Sequence, residues 1–293
     1  MQTLIIKLGA AGDVVRTTSL LKVLSGDIHW LTSDMNYVIL EGVAGIARLF
    51  TWEERESVRL HMYDLVINLE DSIEVGALLK TVRYKELFGA YLGEGDTLTY
   101  TGNSKEWFDL SLISSFGKEK ADELKLQNRK TYQEMIFRGL GYEFKDEQYC
   151  LPRAARSQLT GDIAISNSCG TVWPMKNWAY YDDLKKKLEE NGVFVNYLPK
   201  RDSVLDHIGD IQSHKYLISG DTLPMHIALG SGIKCVTIFT CTSPWEINGY
   251  GLQKKVVSPC LGDFFYKRHF ENRATTCISL SKVYEEAVEQ FGL

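Results

Sequence analysis

The strongest constraint on this chain lies at its start. Thr3 to Leu8 is a short apolar run, Gly9-Ala10-Ala11-Gly12 is a glycine-bearing turn, and a helical pattern runs from Asp13 through Leu24. A continuous apolar run that passes through a tight turn into a helix is the opening of a βαβ unit, because a parallel strand is covered on both faces. Ile28 to Thr32 closes that unit, and Tyr63 to Leu69 reads as another buried strand. Further on, Phe88 to Leu92 reads as a strand, Thr97 to Thr101 as a short extended piece, and Lys118 to Lys125 as a charged helix with a solvated face reaching Lys130. The first half is therefore α/β.

A helix from Tyr132 to Leu140 ends at Gly139 to Gly141, and the polar stretch Glu143 to Thr160, with Pro152 inside it, reads as a connection. The boundary is expected near 157, giving domains 1–157 and 158–293 in a chain too long for one ordinary compact domain. The same grammar then restarts. Strand Asp162 to Ser166, helix Trp178 to Glu190 stopped by Gly192, strand Val193 to Leu198, helix Ser203 to Ile211, strand Tyr216 to Ser219, helix Thr222 to Leu229 and strand Cys235 to Phe239 follow in order, and the helix Leu280 to Phe291 finishes the chain. Two successive open parallel-sheet lobes imply ligands at the carboxyl ends of the strands, in the facing crevice.

Composition removes several classes of function. The 33 Lys and Arg against 38 Asp and Glu give a net charge of -5 with no long basic block, so nucleic acid is not an expected partner. No apolar stretch approaches the roughly 18 residues a membrane span needs, and Leu4-Ile5-Ile6-Lys7 follows no signal-like leader, so a cytoplasmic protein is expected, with at most peripheral contact at the inner face of the inner membrane. The six cysteines, Cys150, Cys169, Cys235, Cys241, Cys260 and Cys277, form no C-x-x-C pair and are expected to be free thiols. Cys260, His269 and Cys277 match no standard zinc spacing, so they are expected to pack the tail rather than bind metal.

Four positions stand where chemistry is expected. Asp13 follows the glycine turn at the end of the first strand, where the helix N-terminus favours its negative charge; it reads either as a helix cap or as a base that accepts a hydroxyl proton. Asp34, 21 residues later, opens a rival dinucleotide reading, weakened because the turn lacks a full G-x-G-x-x-G. Ser219-Gly220-Asp221-Thr222 ends a strand, and Thr222 and His226 lie four apart on the helix that follows, whose first-turn N–H groups suit a phosphate; the bland reading is a cap and a packed histidine. Lys176 sits in the loop after the strand Asp162 to Ser166, where it reads as a neutraliser of diphosphate or as an ordinary surface lysine.

Taken in order, these segments resemble glycosyltransferase family 9, the ADP-heptose lipopolysaccharide heptosyltransferases. The resemblance rests on Leu4 through Val15 with Thr17-Thr18, on Trp30-Leu31-Thr32, on Trp173-Pro174-Met175-Lys176-Asn177-Trp178, and on Gly220-Asp221-Thr222 with Met225-His226 and Thr242-Ser243-Pro244. It implies a GT-B fold, in which two Rossmann-like lobes face each other across a cleft. It also implies an inverting transfer of heptose or a related sugar from an ADP-activated donor to an acceptor hydroxyl, with no metal ion and no cofactor beyond that co-substrate. The acceptor, a glycan, glycolipid or protein hydroxyl, would lie on the first lobe against the loop Gly9, Ala10 and Gly12, and Asp13 would be the base. The donor would lie on the second lobe against Lys176, Asp221, Thr222 and His226, with Ser168 and Thr171 in its loop.

The chain departs from the family at two places. Leu223 stands where a glycine is expected after Asp221-Thr222, with Pro224 following, and Leu198-Pro199-Lys200-Arg201 lacks the acidic residue that some members place on the nucleotide ribose. A leucine side chain obstructs close backbone approach and proline has no N–H to offer an anion. A nicotinamide-dependent oxidoreductase, a non-catalytic nucleotide-sugar sensor and an interaction protein on a retired enzyme fold are the competing classes.

Overall fold

The computed structural model describes all 293 residues, Met1–Leu293. The chain divides into two compact units, Met1–Pro152 and Arg153–Leu293, each built on one open sheet. In the first, β1 (Gln2–Ile6), β2 (Asp27–Thr32), β3 (Ile46–Thr51), β4 (Met62–Asn68), β5 (Arg83–Leu92) and β6 (Leu98–Tyr100) lie in the order β3-β2-β1-β4-β5-β6. All neighbours are parallel except β6, which returns antiparallel along β5. Leu4, Ile5 and Ile6 of β1 are fully buried, which is why this strand reads as an unbroken apolar run. The chain lays down β1, β2 and β3 in one direction and then crosses to the other flank of β1 with β4, so strand order reverses between β1 and β4.

The second unit repeats the logic with five parallel strands, β7 (Gly161–Ser166), β8 (Val195–Tyr197), β9 (His214–Gly220), β10 (Lys234–Phe239) and β11 (Gln253–Val257), ordered β11-β10-β9-β7-β8. Here the reversal falls between β7 and β9. Ile163, Ile165, Ile218, Val236 and Ile238 of the sheet pack with Trp178, Leu184 and Leu188, and the C-terminal helix Leu280–Phe291 adds Val283, Ala287 and Phe291 to the same core.

Several local expectations are corrected by the structure. The helix expected from Asp13 to Leu24 stops early: α1 is Ala11–Thr17, and Thr18–Lys22 is a 3-10 turn. Three hydroxyls in a row turn back onto the chain, Thr17 Oγ1 to the Asp13 carbonyl at 2.7 Å, Thr18 Oγ1 to Val15 at 2.5 Å and Ser19 Oγ to Arg16 at 2.9 Å, competing with the helical ladder. Trp178 lies ahead of the helix Tyr181–Glu190 rather than in it, a buried anchor whose indole N–H donates to the Ile278 carbonyl at 2.9 Å. Strands β3 and β11 were not expected; both are sheet edges, carrying Arg48 or Lys254 and Lys255 among few buried side chains, so neither shows the apolar run of a central strand.

The cysteine reading is also corrected. A disulfide joins Cys260 to Cys277, leaving Cys150, Cys169, Cys235 and Cys241 as free thiols. The chain between the two folds back through short helices at Leu261–Phe264 and Asn272–Thr276, and Phe264 and Ala274 bury themselves against Met175 and Cys241, which brings the paired Cα atoms to 6.4 Å. His269 pairs instead with Glu271 at 2.6 Å. No group of three or more His, Cys, Asp or Glu side chains is placed to hold a metal ion, and no helix is long and apolar enough to cross a membrane.

Candidate functional site

In the first unit, the parallel register that sets Ile6 beside Asn68 carries Glu70 alongside Leu8, at the point where strand order reverses. The Glu70 carboxylate fills that crevice. Its Oε1 accepts the N–H of Leu8 at 2.8 Å, the N–H of Gly9 at 3.0 Å and the Lys7 ammonium at 2.6 Å. Burial pulls the Lys7 ammonium toward its neutral form, but the charges of Glu70 and Asp13, with Tyr132, outweigh it and hold Lys7 above the usual lysine range. Asn36 fixes the turn from the other side by donating to the Leu8 carbonyl at 2.7 Å.

The turn then enters α1 through Ala10, whose φ of +41° is unusual for a residue with a side chain. The Ala10 carbonyl accepts the N–H groups of Asp13 at 2.8 Å and Val14 at 3.0 Å, so the geometry at Ala10 sets the first turn that carries Asp13. The Asp13 side chain is about one-third exposed at 34% and meets the Arg16 guanidinium at 2.9 Å. Arg16 is itself confined, stacked 4.1 Å over the Tyr132 ring and 5.3 Å over Trp107. Tyr132 opens a helix whose N-terminus is closed by a reciprocal capping box of Thr131 and Glu134, and its hydroxyl meets Thr17 Oγ1 at 2.7 Å. Asp13 is therefore held by Arg16 while about a third of its side chain stays exposed.

The dinucleotide reading finds no support in this unit. The backbone N–H groups of Leu8 and Gly9, which would face a pyrophosphate, are taken by Glu70, and Asp34 stands exposed in a 3-10 turn beyond β2.

In the second unit, the register of Ser166 beside Ser219 brings the loop after β7 next to the turn after β9. Lys176, in the 3-10 turn Pro174–Lys176, donates to the Asp221 carboxylate at 2.9 Å and to the Asp221 carbonyl at 2.7 Å. Thr242 Oγ1 donates to the same carboxylate at 2.8 Å, and Thr240 Oγ1 holds the loop through the Met175 carbonyl at 2.5 Å. Burial pushes the Asp221 carboxyl up, yet the charges of Lys176 and His226 with the bonds from Lys176 and Thr242 bring it below the usual carboxylate range. Gly220 is required by space, since a Cβ there would stand 2.9 Å from the Lys176 carbonyl oxygen.

The helix Leu223–Gly230 begins at this pair. Thr222 is its N-cap residue but makes no side-chain cap, Leu223 is half-buried at the first position, Pro224 follows, and His226 is buried one turn in. Ser168 and Thr171 lie exposed in the loop that leads to Lys176. The structure thus brings Lys176, Asp221, Thr222 and His226 to one place and sets Gly9, Ala10, Gly12 and Asp13 around the other turn. Two participants escaped the sequence reading. Glu70 follows a buried strand directly, but its partner Lys7 is revealed only by the β1–β4 register. Lys255, on an edge strand, donates to the carbonyls of Pro244 at 2.7 Å and Ile247 at 2.6 Å, and burial pushes its ammonium down to about 8 although Asp221 opposes this.

No family profile matches the chain, and no curated protein does. Solved structures do match it. Heptosyltransferase WaaC of E. coli, solved with ADP-2-deoxy-2-fluoro heptose, superposes with a TM-score of 0.66 at 15% identity over 99% of each chain. A glycosyl transferase family 9 protein from Veillonella parvula gives 0.67 at 13% identity over 99% of this chain and 97% of that one. ADP-heptose lipopolysaccharide heptosyltransferase II of E. coli gives 0.64 at 14% identity over 99% and 98%. At such identities the likeness establishes the fold, and this chain carries the two-unit α/β fold of these GT-B proteins along its whole length.

Proposed function

We propose that the chain is an inverting glycosyltransferase that moves heptose, or a closely related sugar, from an ADP-activated donor to an acceptor hydroxyl. The observation that carries this reading is the pair at the β7–β9 reversal. Lys176 directs two hydrogen bonds at Asp221, and an ammonium has three donors, so one is left for a phosphate oxygen beside the start of a helix. Support comes from the fold, which is that of proteins solved with ADP or ADP-heptose analogues.

The chemistry follows the charges. The acceptor oxygen forms its bond to the anomeric carbon as the bond from that carbon to the donor phosphate breaks. The Asp13 carboxylate takes the hydroxyl proton, and the diphosphate leaves with an added negative charge that Lys176 offsets. Arg16, stacked on Tyr132 and Trp107, keeps the carboxylate aimed without closing its exposed side. Asp221 and Thr242 anchor the Lys176 loop, His226 neighbours Asp221, and Ser168 and Thr171, exposed in the same loop, flank the donor. Leu223 and Pro224 remove the small residue and the N–H that would let a phosphate settle deep against the helix, so the diphosphate is held mainly by Lys176 and by the loop.

The acceptor is a hydroxyl on a glycan, glycolipid or protein, and the compartment is the cytoplasm, with at most peripheral contact at the inner face of the inner membrane. A thermal-shift screen of ADP-heptose, other ADP-sugars, UDP- and GDP-sugars and NADH, followed by product analysis with the stabilising donor, tests the reading. ADP-sugars should raise Tm selectively and ADP should be released with acceptor present. Stabilisation by NADH alone, or by no nucleotide, would defeat it.

A further inference from the structure

Glu70 supplies no group to the transfer proposed above, yet three donors converge on its one oxygen, two of them from the backbone of the turn that leads into α1. The carboxylate is in turn fixed by its own backbone. Asn68, buried at the end of β4, accepts the Glu70 N–H at 3.1 Å and donates to the Glu70 carbonyl at 3.2 Å and to Ala90 of β5 at 2.7 Å. The clamp therefore ties the turn to two neighbouring strands. Immediately beyond it lies Ala10 at φ +41°, a conformation that a residue with a Cβ holds only where its surroundings over-determine it. An oxygen that accepts an ammonium and two amides at once is best served by a full negative charge, which a glutamine does not bring.

Resting on the reading of Asp13 as the base, we propose that Glu70 is a positioning residue: its carboxylate occupies the turn as an internal anion, fixes Lys7 through Gly9 and, by way of the strained Ala10, sets where Asp13 stands. The same occupancy makes the first unit's turn a frame for a base rather than a seat for a nucleotide phosphate. Asp13, Lys7 and Glu70 then act together, with Glu70 touching neither substrate.

The test compares Glu70→Ala, Glu70→Gln and the double variant Glu70→Ala/Ala10→Gly with the wild-type chain. Glu70→Ala should lower kcat by about 30-fold or more while donor Kd stays within about two-fold, and Glu70→Gln should recover part of that loss. Glycine adopts positive φ without strain, so the double variant should regain about five-fold over Glu70→Ala. A kcat within about two-fold of wild type, a parallel loss of donor affinity, or no gain in the double variant would each overturn the proposal. Amide hydrogen exchange supplies a readout independent of turnover. The Leu8 and Gly9 amides should exchange about ten-fold faster in Glu70→Gln, which also serves if the alanine variant does not fold, and unchanged protection would overturn the clamp. A wild-type chain that transfers no sugar from any donor defeats the enzyme reading, and amide exchange then decides the clamp by itself.

Discussion

Both sheets set a lysine against a carboxylate where strand order reverses, Lys7 with Glu70 between β1 and β4 and Lys176 with Asp221 between β7 and β9, and each lysine also donates to a backbone carbonyl, of Leu69 at 3.4 Å and of Asp221 at 2.7 Å, but the two carboxylates draw on different donors. In the first unit the carboxylate takes two backbone N–H groups, which removes the donors an anionic ligand would need. In the second unit the carboxylate takes side-chain donors instead, the Lys176 ammonium and the Thr242 hydroxyl. The difference teaches that one supersecondary plan serves two tasks. On the proposed reading, the crevice whose backbone donors are taken by Glu70 mounts a side chain, and the crevice that leaves backbone donors untaken by its carboxylate receives an outside anion beside Lys176.

The contrast is broken most sharply at Asp13. Asp13→Asn should leave folding and donor binding intact while lowering transfer by about 100-fold or more, and near-normal turnover would mean that the first turn mounts nothing catalytic. Next comes Lys176→Ala. Donor Kd from calorimetry should weaken by about ten-fold, and because the buried Asp221 loses its cation, unfolding free energy should fall by about 3 kcal/mol. Unchanged affinity would return Lys176 to a structural role.

The two pairs should also respond to pH at opposite ends. Asp221 is depressed in the folded state, so its stabilisation is present above the ordinary carboxylate pKa of about 4 and is lost as pH falls through the folded value. Lys7 is raised, so its stabilisation is present below the ordinary lysine pKa of about 10.4 and is lost as pH rises through the folded value. Acid titration of the Asp221→Asn variant should therefore converge with wild type, and alkaline titration of Lys7→Met should do the same, as followed by chemical denaturation. The smallest effect is expected at Ala10. Ala10→Gly relieves the positive φ at some entropic cost, so stability should rise by no more than about 1 kcal/mol, and a clear loss would show that the strain there has been misjudged.

Much of this architecture was legible in the residues. Central strands such as β1 and β4 are buried on both faces, so Leu4-Ile5-Ile6 and Val66-Ile67 announce themselves. Edge strands do not: in β11 only Val256 is buried, and in β3 only Phe50, so neither carries the apolar run that reveals a strand. The end of α1 turned on Thr17, Thr18 and Ser19, whose hydroxyls the apolar pattern does not weigh. At the candidate site, Asp13, Lys176 and Asp221 stood out because each follows a strand end. Glu70 follows one as well, but its meaning depends on a partner 63 residues away, and only the register supplies that. The Cys260–Cys277 bridge was hidden for the same reason, since the intervening two helices decide the approach.

Gly220 reaches further than its size suggests. Because a Cβ at 220 would press on the main-chain oxygen of Lys176, any side chain there would push on the backbone that carries the lysine. If the second unit binds an activated sugar as proposed, retuning which one it prefers is therefore closed off at that joint. It remains open at Leu223 and along Ser168 to Thr171, where new side chains can be tried while the ammonium keeps its address.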